Sequence, residues 1–439
     1  MSVNQSSKVL QTTLVHVSNV LLSGDDKLKV VCYFTNWAWY RAVGGRFLPE
    51  DIDPTLCTHI NYAFATLDST SLTLKPFDSW ADIENNFYER VVALKNRNPR
   101  LRVLLALGGW TDSAGDKYTR LTASATKRRN FIQQAVHFLQ QHHFDGLDLD
   151  WEFPVCWQSS CGSGPTSDRS NFATFVRELR EAFDQVQPTL LLTAAVSASK
   201  TIIDNAYDVP SLANNLDFIN LMAYDYHGSW EKRTGHVAPL YQKLGDPLSA
   251  NFSLTYWVQK GAPPHKLILG TPFYGRSFTL ASSNMNGIGA PSNGGGKAGP
   301  LTKEIGILAY YEICDKMNNQ AWRQVKDPSG GTGPYAYRED QWVGFDDPET
   351  LSQKAKLVRE QGYGGVMMWT VDFDDFSGIC CQKPFPLLRA VHYGLFGTGD
   401  PPETYKCEEN LISREPPFGI IVPVAHQYPV LLRADQVPQ

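Results

Sequence analysis

Short apolar runs rich in β-branched and aromatic residues recur along this chain at 29–34, 58–65, 102–107, 146–152, 190–196, 218–224, 266–271 and 365–369. Between them stand segments of helix-forming composition, 127–142, 170–186 and 349–361 among them, in which apolar residues return about every 3.6 positions. Eight strands alternating with helices predict an α/β fold, a (β/α)8 TIM barrel, in which reactive groups sit at the C-terminal ends of strands. One gap is too long for a single crossover, because about 95 residues separate Thr271 from Gly365. It holds a Gly/Asn/Pro-rich patch at 284–300, a helical pattern at 310–317 and strand-like runs at 335–337 and 342–345. These predict a small α+β insertion over 274–345, between strands 7 and 8, packed beside the barrel as one wall of a cleft. Barrel and insertion together are expected to occupy 29–397. Residues 1–28 are expected to be poorly ordered. Residues 398–439, where Gly, Pro and isolated apolar residues take over, are expected to form an extended tail.

The fourth run carries the strongest chemical signal. Asp145-Gly146-Leu147-Asp148-Leu149-Asp150-Trp151-Glu152 holds four acids within eight positions, and the last three alternate with Leu149 and Trp151. A period of two places Asp148, Asp150 and Glu152 on one strand face, along roughly 13 Å of backbone. Like charges on a face expected to be buried repel one another and lose hydration. At least one of these carboxyls should therefore keep its proton near neutral pH. A protonated carboxyl beside ionised neighbours is what a general acid requires. Asp145, three positions before Asp148, is expected to shape the strand entry.

Composition narrows the partners. The 439 residues carry a net charge of -5 with no Lys/Arg run suited to phosphate, which argues against nucleic acid. No apolar stretch reaches the length of about 20 residues that spans a bilayer, so no membrane partner is expected. Aromatic residues make up 12% of the chain, which suits a neutral ligand whose faces they can stack on. A monomer is expected. Eight cysteines are present (Cys32, Cys57, Cys156, Cys161, Cys314, Cys380, Cys381 and Cys407), in no paired C-x-x-C zinc pattern, so neither metal nor cofactor is expected. Cys156 and Cys161 flank a short Ser/Gly loop that a disulfide can close into a small ring. The sequons Asn4-Gln5-Ser6 and Asn251-Phe252-Ser253 fit a secreted, extracellular glycoprotein. The stretch from Val9 to Leu22 is too interrupted by polar residues to make a convincing signal peptide.

In its acidic strand the chain resembles the DGxDxDxE motif of family 18 glycoside hydrolases, the chitinases and chitinase-like lectins. Further resemblance lies in Cys32-Tyr33-Phe34-Thr35-Asn36-Trp37, in Leu107-Gly108-Gly109-Trp110 and in Met222-Ala223-Tyr224-Asp225-Tyr226-His227-Gly228. It continues in Tyr274-Gly275-Arg276-Ser277-Phe278 and Met368-Trp369, in family order from about position 29 to 396. Trp37-Ala38-Trp39-Tyr40, the run from Gly109 to Tyr118 and the Cys156–Cys161 loop are most similar to arthropod members.

The resemblance implies hydrolysis of β-1,4 linkages between N-acetylglucosamine units of chitin and chitooligosaccharides. Acids lying along one strand are poorly placed for direct attack on an anomeric carbon. The 2-acetamido oxygen of the sugar attacks instead, giving an oxazolinium intermediate and net retention. Glu152 is then expected as general acid and later base, with Asp150 orienting the acetamide and Asp148 sharing a proton with Asp150. Tyr224 is expected to donate to the acetamide oxygen, and Asp225 to hydrogen-bond in the same pocket. Trp369 should form the floor beneath the distorted sugar, with Tyr33, Trp37, Phe64 and Trp110 as subsite walls. Gly109 and Met222 complete the expected substrate-binding set, and Arg276 is expected to reach in from the insertion as a donor. Position 153 departs from the pattern, with Phe where many members carry Tyr, so a hydroxyl near the leaving-group side is missing. By resemblance Cys32–Cys57 and Cys314–Cys381 are disulfides, with Cys380 and Cys407 left over.

Two rival readings differ in class. A lectin on the same scaffold would bind chitooligosaccharide without cutting it, but such members usually lack the terminal glutamate that Glu152 provides. A divalent-metal hydrolase using Asp148, Asp150 and Glu152 as ligands is disfavoured by the absence of a nearby His and by the Trp between the acids.

Overall fold

The computed structural model describes residues 28–241 and 247–405. The expectations for residues 1–27, for the tail beyond 405, for the sequon at Asn4 and for Cys407 lie outside these residues. Eight parallel strands close into a barrel: Lys29–Thr35, His59–Leu67, Arg102–Gly108, Gly146–Asp150, Leu191–Ser197, Phe218–Met222, Leu267–Pro272 and Gly365–Trp369. The first strand pairs with both the second and the last, which closes the ring and leaves no free edge among the eight.

Strand periodicity decides which side chains fill the lumen. Val31, Tyr33, Ala63, Ala106, Phe218, Ile268 and Met367 point inward and pack together. Val30, Cys32, Phe34, Val103, Leu105, Leu147 and Leu149 take the alternate phase and join the larger core beneath the helices. Asn61, Asp148, Asp150, Thr193 and Asn220 are buried as well, each exposed by 3% or less. The surrounding helices include Ala125–Gln141, Ser167–Phe183 and Pro348–Glu360. The last starts at a well-formed cap: Asp347 accepts from the Thr350 amide at 2.9 Å, and Pro348 supplies the fixed φ of the first helical position. No described helix is long and apolar enough to cross a membrane.

Between the seventh and eighth barrel strands lies a six-stranded antiparallel sheet with one helix, Tyr310–Asn319. Its central strand, Tyr274–Leu280, pairs with Ser292–Gly295, Ile307–Ala309 and Gln341–Gly344. Tyr335–Arg338 and Arg323–Val325 extend the sheet. A buried ion pair locks the segment where the chain returns from this insertion to the barrel. The Lys354 ammonium meets the Asp346 carboxylate and donates to the Ala238 carbonyl at 2.6 Å, with both charged side chains 1% exposed or less. Burial raises the Asp346 pKa and lowers that of Lys354, so desolvation outweighs their attraction in both cases. Removing one partner alone leaves the other stranded. Lys354→Ala is therefore expected to lower the thermal midpoint by on the order of 5 °C, read by calorimetry; an unchanged midpoint would refute the lock.

Three expectations need correction. The fourth strand ends at Asp150 rather than Glu152: the Gly109 amide on the Asp150 carbonyl, at 2.8 Å, is the last rung of the ladder, and the Glu152 amide goes instead to the Ser113 hydroxyl at 2.8 Å. The sixth ends at Met222, where the Ala223 amide turns back to the Leu221 carbonyl at 2.7 Å, so Tyr224 and Asp225 lie on the loop that follows. Disulfides join Cys32–Cys57, Cys156–Cys161 and Cys314–Cys380. Cys314 thus takes Cys380, not Cys381. The Cα atoms of Cys314, on the helix Tyr310–Asn319, and of Cys380 lie 5.8 Å apart, within bridging range, and the Asp375 carboxylate fixes the turn at Cys380 by accepting its amide at 2.8 Å.

Candidate active site

The acidic strand enters the barrel at Asp145, whose carboxylate accepts the Val103 amide at 2.8 Å and pairs with Lys95 at 3.0 Å. Asp148 follows one turn of the pleat deeper and is fully buried. It accepts hydrogen bonds from the Tyr33 hydroxyl, the Thr193 hydroxyl and the Asn220 side-chain amide, the last at 3.1 Å. Burial pushes its pKa up to about 6, and these donors, which favour the ionised form, hold it from rising further.

Asp150 sits at the rim with fewer donors. Its Oδ1 atom is buried without a protein partner. Burial first, then the charges of Glu152 and Asp148, raise its pKa well above the ordinary range. Close backbone packing brings it there. Gly108 pairs with Asp150 in the sheet, at φ +123°, and a Cβ at that position would lie 2.2 Å from the Asp150 carbonyl oxygen.

Glu152 lies two residues beyond the strand end and is half-buried. Its pKa is pushed up to about 8, chiefly by burial and then by the nearby Asp225 charge. The lumen thus holds an inner carboxyl rich in donors, a middle one starved of them and an outer one that stays protonated at neutral pH.

Tyr224 faces these acids from the loop after the sixth strand. Burial, followed by the charges of Asp150 and Glu152, raises its pKa strongly, so the hydroxyl remains a donor; it lies 4.0 Å from the Met367 sulfur. Asp225, at φ +57°, is held from the insertion side. Arg276 Nε and Nη2 reach its two oxygens at 2.7 and 2.5 Å, and the Tyr274 hydroxyl donates at 2.7 Å. The Arg276 guanidinium in turn lies 5.2 Å from the Trp230 ring centroid. Arg276 therefore reaches the cleft, with its bidentate fork engaged on Asp225.

An aromatic wall completes the site. Trp369 stacks on Phe64 with centroids 5.7 Å apart and meets Tyr33 at 5.5 Å, while Trp37 stacks on Phe64 at 6.0 Å and lies 6.4 Å from Trp369, so the three rings form one cluster. Trp37 and Trp369 are half-buried and show a face to the cleft, with Met222 and Tyr224 packed on the same cluster. Trp110 stands out at 47% exposure. Gly109 is backbone only: a Cβ there would strike the Phe64 ring at 2.6 Å. Tyr33 does not serve as an open wall. It is 1% exposed, and its hydroxyl belongs to Asp148. Phe64, 7% exposed, mainly backs the two tryptophans.

Sequence reasoning missed Thr193, Asn220, Tyr274 and Ser113. A signal existed for two of them. Thr193 and Asn220 each interrupt an apolar strand at the phase that points into the lumen, where an unpaired polar group is costly.

A closed barrel with a protonated carboxyl at its C-terminal rim, flanked by two further acids and walled by indoles, defines an enzyme that cleaves glycosidic bonds. The chain belongs to the glycosyl hydrolases of family 18, whose profile matches residues 29–374. It is 49% identical over 378 residues to "Probable chitinase 10" of Drosophila melanogaster, covering 85% of this chain and 16% of that protein. Among solved structures it resembles a mutant form of catalytic domain 2 of the Ostrinia furnacalis group II chitinase in complex with (NAG)5. That match has a TM-score of 0.83 at 51% identity, covering 86% of this chain and 98% of the other. It also resembles human YKL-39, described as a pseudo-chitinase with retained chitooligosaccharide binding. There the TM-score is 0.76 at 39% identity, covering 84% of this chain and all of that one.

Proposed function

We propose that this protein is a chitinase that hydrolyses β-1,4 links between N-acetylglucosamine units with retention, using the substrate's own acetamide as nucleophile. The observation that carries this reading is Glu152, held protonated two residues past the end of the acidic strand. Glu152 gives its proton to the leaving O4 as the C1–O4 bond breaks. The 2-acetamido oxygen closes on C1, and positive charge spreads to the acetamide nitrogen. Asp150 orients that nitrogen, and the developing positive charge favours ionised Asp150, whose proton passes toward Asp148, ionised beforehand at neutral pH and made basic enough to take it by burial. Tyr224 donates to the acetamide oxygen and aligns it. Water then attacks C1, its proton returns to Glu152, and the β-configuration is restored.

Trp369 supplies the floor of the subsite where the sugar distorts, and Trp37 and Trp110 offer stacking faces along the chain of sugars. Asp225 with Arg276 closes the pocket from the insertion side. A non-cutting lectin is the second reading, favoured by the likeness to a pseudo-chitinase and disfavoured here by Glu152. Three disulfides among the described residues support an oxidising, extracellular setting.

The test is turnover of an aryl chitobioside across pH. The acid must be protonated to work, so kcat/KM is expected to fall as pH rises through about 8, following Glu152. Binding without turnover at any pH would select the lectin instead.

A further inference from the structure

Glu152 performs its chemistry from a stretch of backbone that no neighbouring barrel strand supports. The sheet register ends at the Gly108–Asp150 pair, two residues short of the acid. Past that point a single buried hydroxyl takes over. Ser113 is 0% exposed and lies five residues after Gly108, in the turn that carries Trp110. Its Oγ accepts the Glu152 amide at 2.8 Å and donates to the Asp150 carbonyl at 3.3 Å. One hydroxyl has one proton and two lone pairs, so both bonds form at once. Ser113 is itself fixed, because its amide donates to the Gly109 carbonyl at 2.9 Å. The far side of Glu152 is held too: its carbonyl accepts the Gln158 amide at 3.0 Å, within the loop closed by Cys156–Cys161.

We infer that the Ser113 hydroxyl is a positioning residue for the general acid, standing in for the missing strand partner and setting the angle at which Glu152 meets the leaving oxygen. Ser113 touches the reaction only through backbone. Without the hydroxyl, the buried Glu152 amide loses its partner and the peptide rotates to find another. An acid displaced by a fraction of an ångström transfers its proton poorly, whereas the Asp150 carbonyl, which loses only the longer of its two bonds, keeps the Gly109 amide at 2.8 Å and holds the acetamide pocket in place.

This inference rests on the chitinase reading, and the experiment separates the two. Ser113→Ala is compared with wild type on a chitooligosaccharide and on a 2,4-dinitrophenyl chitobioside, with kcat/KM reporting the steps through departure of the leaving group. A sugar alkoxide needs the proton from Glu152, whereas dinitrophenolate leaves without it. The variant is expected to lose about tenfold on the oligosaccharide and no more than about twofold on the dinitrophenyl substrate. Ser113→Thr, which keeps the hydroxyl, is expected to recover most of the difference. The ratio of the two losses comes from a single preparation and does not depend on how much of it is folded. If the alanine variant fails to accumulate, Ser113→Cys, similar in size but a weak donor and acceptor, is read in the same way. Equal losses on the two substrates, or none on either, would overturn the assignment. Wild type that cleaves neither substrate would overturn the chitinase reading and this inference with it.

Discussion

Glu152→Gln is expected to reduce kcat/KM on chitooligosaccharides by at least about 10²-fold while leaving their binding intact. The amide keeps the size and much of the hydrogen bonding of the carboxyl, so the cleft should retain its shape. It has no proton to give to the leaving oxygen and cannot take one from the attacking water, so both halves of the reaction fail. A second consequence follows from the electrostatics. The Glu152 charge is one of the two that push the Asp150 pKa upward, after burial. Glu152 is uncharged below about pH 8, so there the amide leaves Asp150 as it was and affinity should hold. Above that pH it removes the repulsion, Asp150 ionises more readily than in the wild type, and affinity for a sugar whose acetamide N–H seeks an acceptor should improve. Steady-state rates and titration calorimetry with chitotetraose measure the two effects separately. The residual activity should also lack the fall near pH 8 that Glu152 imposes on the wild type. Turnover close to wild type would remove Glu152 from the role of acid.

Much of this site was legible in the sequence because its chemistry is written on one strand. The alternation of Asp148, Asp150 and Glu152 with Leu149 and Trp151 gave both the strand and its inward face, and eight apolar runs gave the barrel. Less legible was the point where the pattern stops. Period-two spacing continues to Glu152, but the strand ladder does not, because the Ser113 hydroxyl, reaching in from a distant turn, takes the Glu152 amide and donates to the Asp150 carbonyl. No local rule sees a capture across 37 residues. Tyr33 was misjudged for a related reason. An aromatic near a strand end reads as a stacking surface, and its burial against Asp148 depends on the closed lumen. Arg276 shows the same limit: the sequence placed it at the cleft, and the fold spent its fork on Asp225. The cysteine pairing failed at the finest grain: Cys380 and Cys381 are adjacent and both amides donate to the same Asp375 oxygen, so only the folded turn decides which sulfur meets Cys314.

Oligosaccharides of the same length and linkage that lack the 2-acetamido group are expected to be cleaved at least about 10³-fold more slowly than chitooligosaccharides. A glycosidase that supplies its own nucleophile needs a carboxylate across the sugar from the acid. Here Asp148 and Asp150 lie on the same strand that leads to Glu152, and Asp148 is bound within the lumen by three donors. Asp225 comes from another loop, but Arg276 holds both its oxygens and Tyr274 donates to one of them. Freeing Asp225 to attack carbon would strand the Arg276 guanidinium, which burial already disfavours. The acetamide oxygen is then the nucleophile in reach, and removing it removes the first step rather than merely weakening binding. Cellotetraose against chitotetraose is the direct comparison. Substrates with progressively fluorinated acetamides sharpen it, because they keep the group's shape while draining its nucleophilicity. A steep fall in kcat/KM along that series marks participation of the acetamide, whereas a flat series, or ready hydrolysis of cellotetraose, would require one of the enzyme's own carboxylates to attack.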